Sequence, residues 1–269
     1  MDKALLPPVE SGFIDTVTSG VVEITVGQGD GQKTFYIHKI LFRTKAPVFD
    51  KMFSTGFKEG STGSATLPHD SCEAFKAFAK WLYSSNSKKL KPTELIICPL
   101  FPHERTSEIR WNMTETIALA DKYCLDQLSD EVMSLWIKYQ AKDRLQLEEL
   151  KKITSYITAN TSNRCKARDF LAHLWAIEML QAPGKGNGQP NGDDLDAFID
   201  DNNFSKQVFY KMGCLAFQTS EKWQPVCDYH LHGKPGLCCD STVLLYLCPF
   251  KAVDAETSAH NPEKKRKAA

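Results

Sequence analysis

The sequence predicts an α+β protein in which helices cover a small β-sheet and a mainly helical region follows. Two short runs with apolar residues at every second position flank a glycine-rich stretch at 27–31, which predicts two strands joined by a turn. After residue 38 the apolar spacing changes to three and four, and this helical spacing returns from residue 147 onward. The apolar run at 243–247 is predicted to be a final strand or a buried segment. Helices after a hairpin predict helices packed on a small sheet.

The first strand is predicted by Val22, Ile24 and Val26, which alternate with polar residues. Glycine permits positive φ, so the chain can reverse at 27–31 before Phe35 and Ile37 continue a second strand. Three glycines at this spacing also occur in phosphate-binding loops, but those loops lead directly into a helix. A strand-forming run follows here, which favours a plain hairpin.

The helices of the first half are predicted by helical spacing and by residues typical of helix ends. Pro47 is typical of a first helical turn, and a short edge strand is predicted at 65–67. Asp70 and Glu73 have the spacing of a capping box before the next helix. That helix has four apolar residues on one face: Phe75, Phe78, Trp81 and Leu82.

Four segments together resemble the BTB/POZ domain in the form common in short fungal proteins. They are Phe-Tyr-Ile-His-Lys-Ile-Leu at 35–41, Ala-Pro-Val-Phe at 46–49, Phe-Lys-Glu at 57–59 and Ala-Leu-Ala-Asp-Lys-Tyr-Cys at 118–124. Their order and spacing are more specific than any one of them. The resemblance implies a BTB/POZ domain over residues 12–140 and a role in binding other proteins.

The rest of the chain is predicted to consist of an interruption, a helical region and a tail. The interruption covers about 84–111, and Asn112 with Glu115 predicts a capping box at the start of the next helix. The helical region covers 141–250 and includes a flexible, glycine- and proline-rich loop at 182–193. Residues 251–269 are predicted to form a disordered basic tail.

Composition narrows the functional classes. The 33 basic and 33 acidic residues give zero net charge, which argues against direct nucleic-acid binding or attraction to an anionic membrane. With no predicted signal peptide or membrane span, we expect an intracellular setting, cytoplasmic or nuclear, with the nine cysteines mostly reduced. No motif of a common enzyme class is present, so we expect a non-enzymatic protein.

A Cys/His-rich segment at 227–239 is the one candidate for a cofactor site, a structural zinc ion. Zinc takes four nitrogen or sulfur donors, and a complete set would leave no open catalytic position. The spacing is not that of a standard zinc finger, so a loop with buried cysteines and exposed histidines is the alternative. The candidate ligands are Cys227, His230, His232 and Cys238, with Cys239 as the alternative to Cys238.

The resemblance also implies partner-binding residues. In the family, a hydrophobic-x-Glu motif after an early helix contacts a cullin scaffold, and Phe57 and Glu59 match it by position. An opening helix often forms the family's dimer interface, which makes Phe13 and Ile14 candidates for self-association. The implied function is a substrate adaptor of a cullin-type ubiquitin ligase. The alternative is a nuclear regulatory or scaffold protein, for which the basic run at 264–267 is a candidate import signal.

Overall fold

The computed structural model describes residues 13–84, 106–142, 145–180, 190, 192–196, 198–217 and 229. The chain divides into two compact units, residues 1–132 and 133–269, so that the boundary falls inside one helix. Within the described residues, no helix is both long enough and apolar enough to cross a membrane.

The described part of the first unit contains a three-stranded sheet and the helices that surround it. Its strands are β1 (Val21–Val26), β2 (Lys33–His38) and β3 (Ser64–Leu67). Its helices are α1 (Phe13–Thr18), α2 (Lys39–Lys45), α3 (Pro47–Met52), α4 (Lys58–Thr62), α5 (Cys72–Tyr83) and α6 (Thr106–Lys122). Helix α7 (Asp126–Lys142) contains the boundary between the units.

The sheet has the order β2-β1-β3, with β1 antiparallel to β2 and parallel to β3. Val22, Ile24 and Val26 are buried while their neighbours in β1 are more exposed, which confirms the predicted alternation. The hairpin turn holds Gly27 and Gly29 at positive φ, a conformation that glycine adopts without steric cost. The α+β prediction is confirmed.

Aromatic side chains fill the core of the first unit. Phe49 is fully buried, and its ring centroid lies 5.3 Å from that of Phe42, 5.1 Å from that of Phe78 and 4.7 Å from that of Tyr123. Phe35 in β2 reaches the same cluster through Phe75, at 4.9 Å. The sheet and helices α2, α3 and α5 therefore share one apolar core.

Both predicted capping boxes are wrong. Ser71, not Asp70, is the N-cap of α5 and accepts a hydrogen bond from the Ala74 amide. Helix α6 begins at Thr106, so Asn112 lies inside it and the predicted interruption at about 84–111 ends too late. In both cases local spacing fits a cap, but the helix begins elsewhere.

The described part of the second unit is helical. Helix α8 covers Leu147–Asn160, α9 covers Lys166–Leu180, α10 covers Gly192–Leu195 and α11 covers Asn202–Phe217. Helix α10 thus begins within the predicted loop at 182–193. Helix α9 is almost entirely buried, and its Trp175 donates a hydrogen bond of 2.8 Å from Nε1 to Thr154 Oγ1 on α8.

Candidate protein-interaction site

Phe57 presents an aromatic ring to solvent from a well-fixed backbone. Phe57 is 51% exposed, whereas Phe42, Phe49 and Phe78 of the same unit are buried. The backbone of Phe57 is extended and forms the N-cap of α4. Its amide donates to the Ser54 carbonyl, and its carbonyl accepts from the Ser61 amide and the Ser61 hydroxyl.

Two glycines determine where α4 lies. A Cβ added to Gly60 would overlap the Ser54 carbonyl, so α4 approaches the end of α3 more closely than any side chain allows. Gly63 then ends α4 in the left-handed conformation, with a φ of 67°, and its amide donates to the Glu59 carbonyl at 2.8 Å. Strand β3 begins at the next residue. Phe57 is therefore carried on a short helix held between α3 and the central sheet.

Glu59 lies in the first turn of α4, where a carboxylate interacts favourably with the helix dipole. The residue is half-buried, and its carboxylate has no ion pair within the described part of the chain. Phe57 and Glu59 are thus displayed two residues apart at the start of one helix. This arrangement can offer a partner an apolar anchor with a negative charge beside it.

Two residues of the segment at 118–124 bind the carboxylate of Asp70. Lys122 donates to Asp70 Oδ1 at 2.8 Å, and the Tyr123 hydroxyl donates to Asp70 Oδ2 at 2.7 Å. Burial, followed by the hydrogen bond to Asp70, raises the pKa of the Tyr123 phenol, so this hydroxyl remains a donor. Lys122 and Tyr123 thus attach the end of α6 to the loop before α5. Because its carboxylate is engaged by these two residues, Asp70 does not cap α5.

His38 ends β2 and is held by Tyr83 at the end of α5. The Nδ1 atom of His38 lies 2.8 Å from the Tyr83 hydroxyl, and the His38 amide donates to the same hydroxyl at 3.3 Å. The imidazole makes no capping bond to α2, although His38 is its N-cap residue. His38 therefore connects β2 to α5.

The other predicted site residues are only partly described. Phe13 and Ile14 begin α1, but their side chains lie outside the described residues, so the self-association surface stays a prediction. All the predicted zinc ligands lie outside the description as well: Cys227, His230, His232, Cys238 and the alternative Cys239. Among the residues that are described, no group of three or more histidine, cysteine or carboxylate side chains could hold a metal ion.

Sequence reasoning missed two features of the surface. Tyr36 on β2 is 65% exposed, and on α11 Phe209 is 57% and Tyr210 67% exposed. Helical spacing places Val208 and Phe209 equally well in a core, so periodicity alone could not separate the buried residue from the exposed one. The described chain also has an open cavity of about 540 Å³ in the second unit, whose lining combines polar residues such as Asp196 and Asp200 with Phe198 and Ala159.

The comparison with curated proteins gives no match to this chain. The comparison with protein-family models matches residues 21–140 to the BTB/POZ domain. The matched range begins at β1 and contains the three-stranded sheet, the aromatic core, the Phe57 helix and the Asp70–Tyr123 contact. BTB/POZ domains bind other proteins and in general self-associate. Residues 21–140 are therefore a BTB/POZ domain, and the chain carries a protein–protein interaction module of that family.

Proposed function

We propose that this protein is a substrate adaptor of a cullin-type ubiquitin ligase and that Phe57 and Glu59 contact the scaffold. The observation that carries the proposal is the exposure of Phe57 on a backbone that is hydrogen-bonded on both sides. An exposed aromatic ring adds little to the stability of its own unit. The same ring becomes a strong anchor when a partner buries it.

The fixed backbone favours binding because little conformational entropy is lost when the partner arrives. The amide and carbonyl of Phe57 are already hydrogen-bonded, and Gly60 lets α4 pack closely against the Ser54 carbonyl. Glu59 supplies a charge that favours a basic partner surface and one orientation of docking. If the protein is such an adaptor, the helical second unit carries the site that binds the substrate.

The test is a binding titration of the full chain against a purified cullin scaffold. Phe57→Ala is expected to weaken binding about tenfold or more, as for a central aromatic anchor. Glu59→Gln is expected to have a smaller effect that shrinks as salt rises, because it removes a partly exposed charge. Because Phe57 is mostly exposed, Phe57→Ala should leave the thermal unfolding midpoint nearly unchanged.

Tyr36→Ala is the matched control. Tyr36 is another exposed aromatic residue of the same unit, but it lies on β2. Its replacement should leave scaffold binding unchanged. The adaptor proposal fails if the unaltered chain does not bind the scaffold, or if Tyr36→Ala weakens binding as much as Phe57→Ala does. Failure would leave the nuclear regulatory or scaffold role as the proposal to pursue.

A further inference from the structure

Helix α11 has an apolar surface that the described chain leaves uncovered. Phe204, Val208 and Leu215 bury one side of this helix. On the other side, Phe209 and Tyr210 are mostly exposed. Gly213 follows them at spacings of four and three residues, which places all three on one side of the helix. We call Phe209, Tyr210 and Gly213 the Phe209 face.

Gly213 marks the point where another segment can approach most closely. Glycine in a helix interior is less favourable than alanine, so its presence calls for a structural reason. A Cβ added there would meet nothing within 4 Å, so the described residues do not supply that reason. The space above Gly213, beside two exposed aromatic rings, can accept the backbone of a docked segment.

The chain that follows α11 is anchored beside this helix. The next described residue after α11 is Tyr229, which is fully buried. Its ring centroid lies 5.3 Å from that of Phe170 on α9, and Lys211 Nζ on α11 lies 5.5 Å from the Tyr229 ring. Lys211 is the immediate neighbour of Tyr210. Residues 230–269 therefore start from a point fixed against α11.

We propose that the segment at 243–247, Val-Leu-Leu-Tyr-Leu, docks on the Phe209 face. This segment is the longest apolar run after Tyr229, and polar residues dominate the sequence from 251 onward. The intervening stretch, at ~3.3 Å per residue, spans up to about 45 Å. Helix α11, with its 16 residues, is about 24 Å long, so the segment can reach any part of it.

The tether favours this segment over a second copy of the chain. A short connection gives its segment an effective concentration on the order of millimolar near the face. A second copy of the chain at micromolar concentration therefore competes poorly with the tethered segment for the Phe209 face. Gly233, Pro235 and Gly236 lie in the connection and suit a chain that turns back towards its anchor.

Amide hydrogen exchange on the full chain tests this docking. In the unaltered protein, the peptide containing 243–247 should be protected to the same degree at about 1 and about 50 µM protein, because a tethered segment docks without mass action. The double variant Phe209→Ser/Tyr210→Ser should lower that protection about tenfold or more. Tyr36→Ser, a matched exposed tyrosine on the BTB/POZ domain, should leave it unchanged.

Gly213→Leu is a second variant that does not depend on removing the aromatic rings. Leucine is a better helix former than glycine, and a Cβ at this position has no neighbour within 4 Å, so α11 should stay folded while the side chain occupies the docking space. The expected result is again a loss of protection at 243–247. The proposal is overturned if this segment exchanges freely in the unaltered chain, or if both variants leave its protection intact. Protection that grows with protein concentration would overturn it in favour of a second copy.

Discussion

The two units bury different kinds of polar group. Among the described residues of the first unit, the buried polar residues are the hydroxyl-bearing Thr114, Thr116 and Ser129. The charged side chain of Asp70 has comparable burial in this unit, and it is paired with the exposed Lys122. The second unit buries Arg168, His173, Asp194 and Lys211. In the first unit the cations that connect elements, such as Lys45 and Lys122, stay partly exposed.

Buried charge makes a unit depend on exact partners and on pH. A buried ion that loses its partner costs several kcal/mol, whereas a partly exposed one is compensated by water. We therefore expect the second unit to be more sensitive to single changes and to acid than the first unit, whose connecting cations are partly exposed. Lower sensitivity suits a domain whose aromatic core carries its stability.

The largest expected effect comes from Arg168→Met. Arg168 donates to Asp201 at 2.7 Å and also bonds the Thr158 and Thr161 carbonyls at the end of α8. Asp201 in turn accepts from the first amides of α11, so one arginine joins three helices. Its loss should cost about 3–5 kcal/mol. Hydrogen exchange should show this loss in peptides from the second unit and not in β1 or α5.

Arg168→Lys and Arg164→Met are the controls. Lysine keeps the charge but not the planar fork of donors, so Arg168→Lys should recover only part of the loss. Arg164 is exposed, and its replacement should change stability by less than about 0.5 kcal/mol. If Arg168→Met lost protection equally in both units, the expectation that the second unit depends more strongly on its buried charges would be wrong.

Acid should destabilise the second unit through His173. Burial, followed by the charge of Lys211, lowers the pKa of His173 from 6.5 to about 4. The folded state therefore favours the neutral ring, so this stability is complete above pH 6.5 and is lost as pH falls towards 4. The loss amounts to about 3 kcal/mol. Urea unfolding at pH 7, 5.5 and 4.5 measures it.

His173→Gln should remove this dependence between pH 6.5 and 4. Glutamine cannot take up a proton, and it keeps a polar group where His173 Nε2 has no hydrogen-bond partner in the described structure. Asp201 acts in a lower pH window. Burial alone would raise the pKa of its carboxyl, but hydrogen bonds from the Phe204 amide, Arg168 and the Asn203 amide, with the charge of Arg168, together lower it, so its contribution is lost only below pH 3.8. A slope that persists in His173→Gln would assign the acid sensitivity to another group.

The sequence predicts local order well and long-range pairing poorly. Alternation in β1 and the glycine turn needed only neighbouring residues, and both are confirmed. The choice between Asp70 and Ser71 as N-cap depended on Lys122 and Tyr123, which lie far along the chain. Arg168 and Asp201 are likewise 33 residues apart, and no local pattern marks them as partners. Phe57 was found by motif, but its exposure depends on how Gly60 and Gly63 position α4.

Lys45→Met tests the first unit with a smaller expected effect. Lys45 Nζ donates to the Trp81 carbonyl at 2.9 Å and to the Ser84 carbonyl, closing the end of α5. Methionine keeps much of the apolar stem and removes these bonds, which should cost about 1–2 kcal/mol in thermal unfolding. Lys51→Met, at an exposed position of α3, should have almost no effect. A loss as large as that of Arg168→Met would remove the distinction between the two units.

The smallest effect concerns the backbone conformation at the end of α6. Cys124 follows α6 at a φ of 53°, and the Leu125 amide donates to the Ala120 carbonyl while the Cys124 amide donates to that of Asp121. This is a Schellman arrangement, in which glycine is the preferred residue. Cys124→Gly should therefore stabilise the first unit by about 0.5 kcal/mol, and Cys124→Val should destabilise it because a β-branched residue resists positive φ. Differential scanning calorimetry of both variants decides this, since a lower unfolding temperature for Cys124→Gly would mean that the cysteine side chain itself stabilises this helix end.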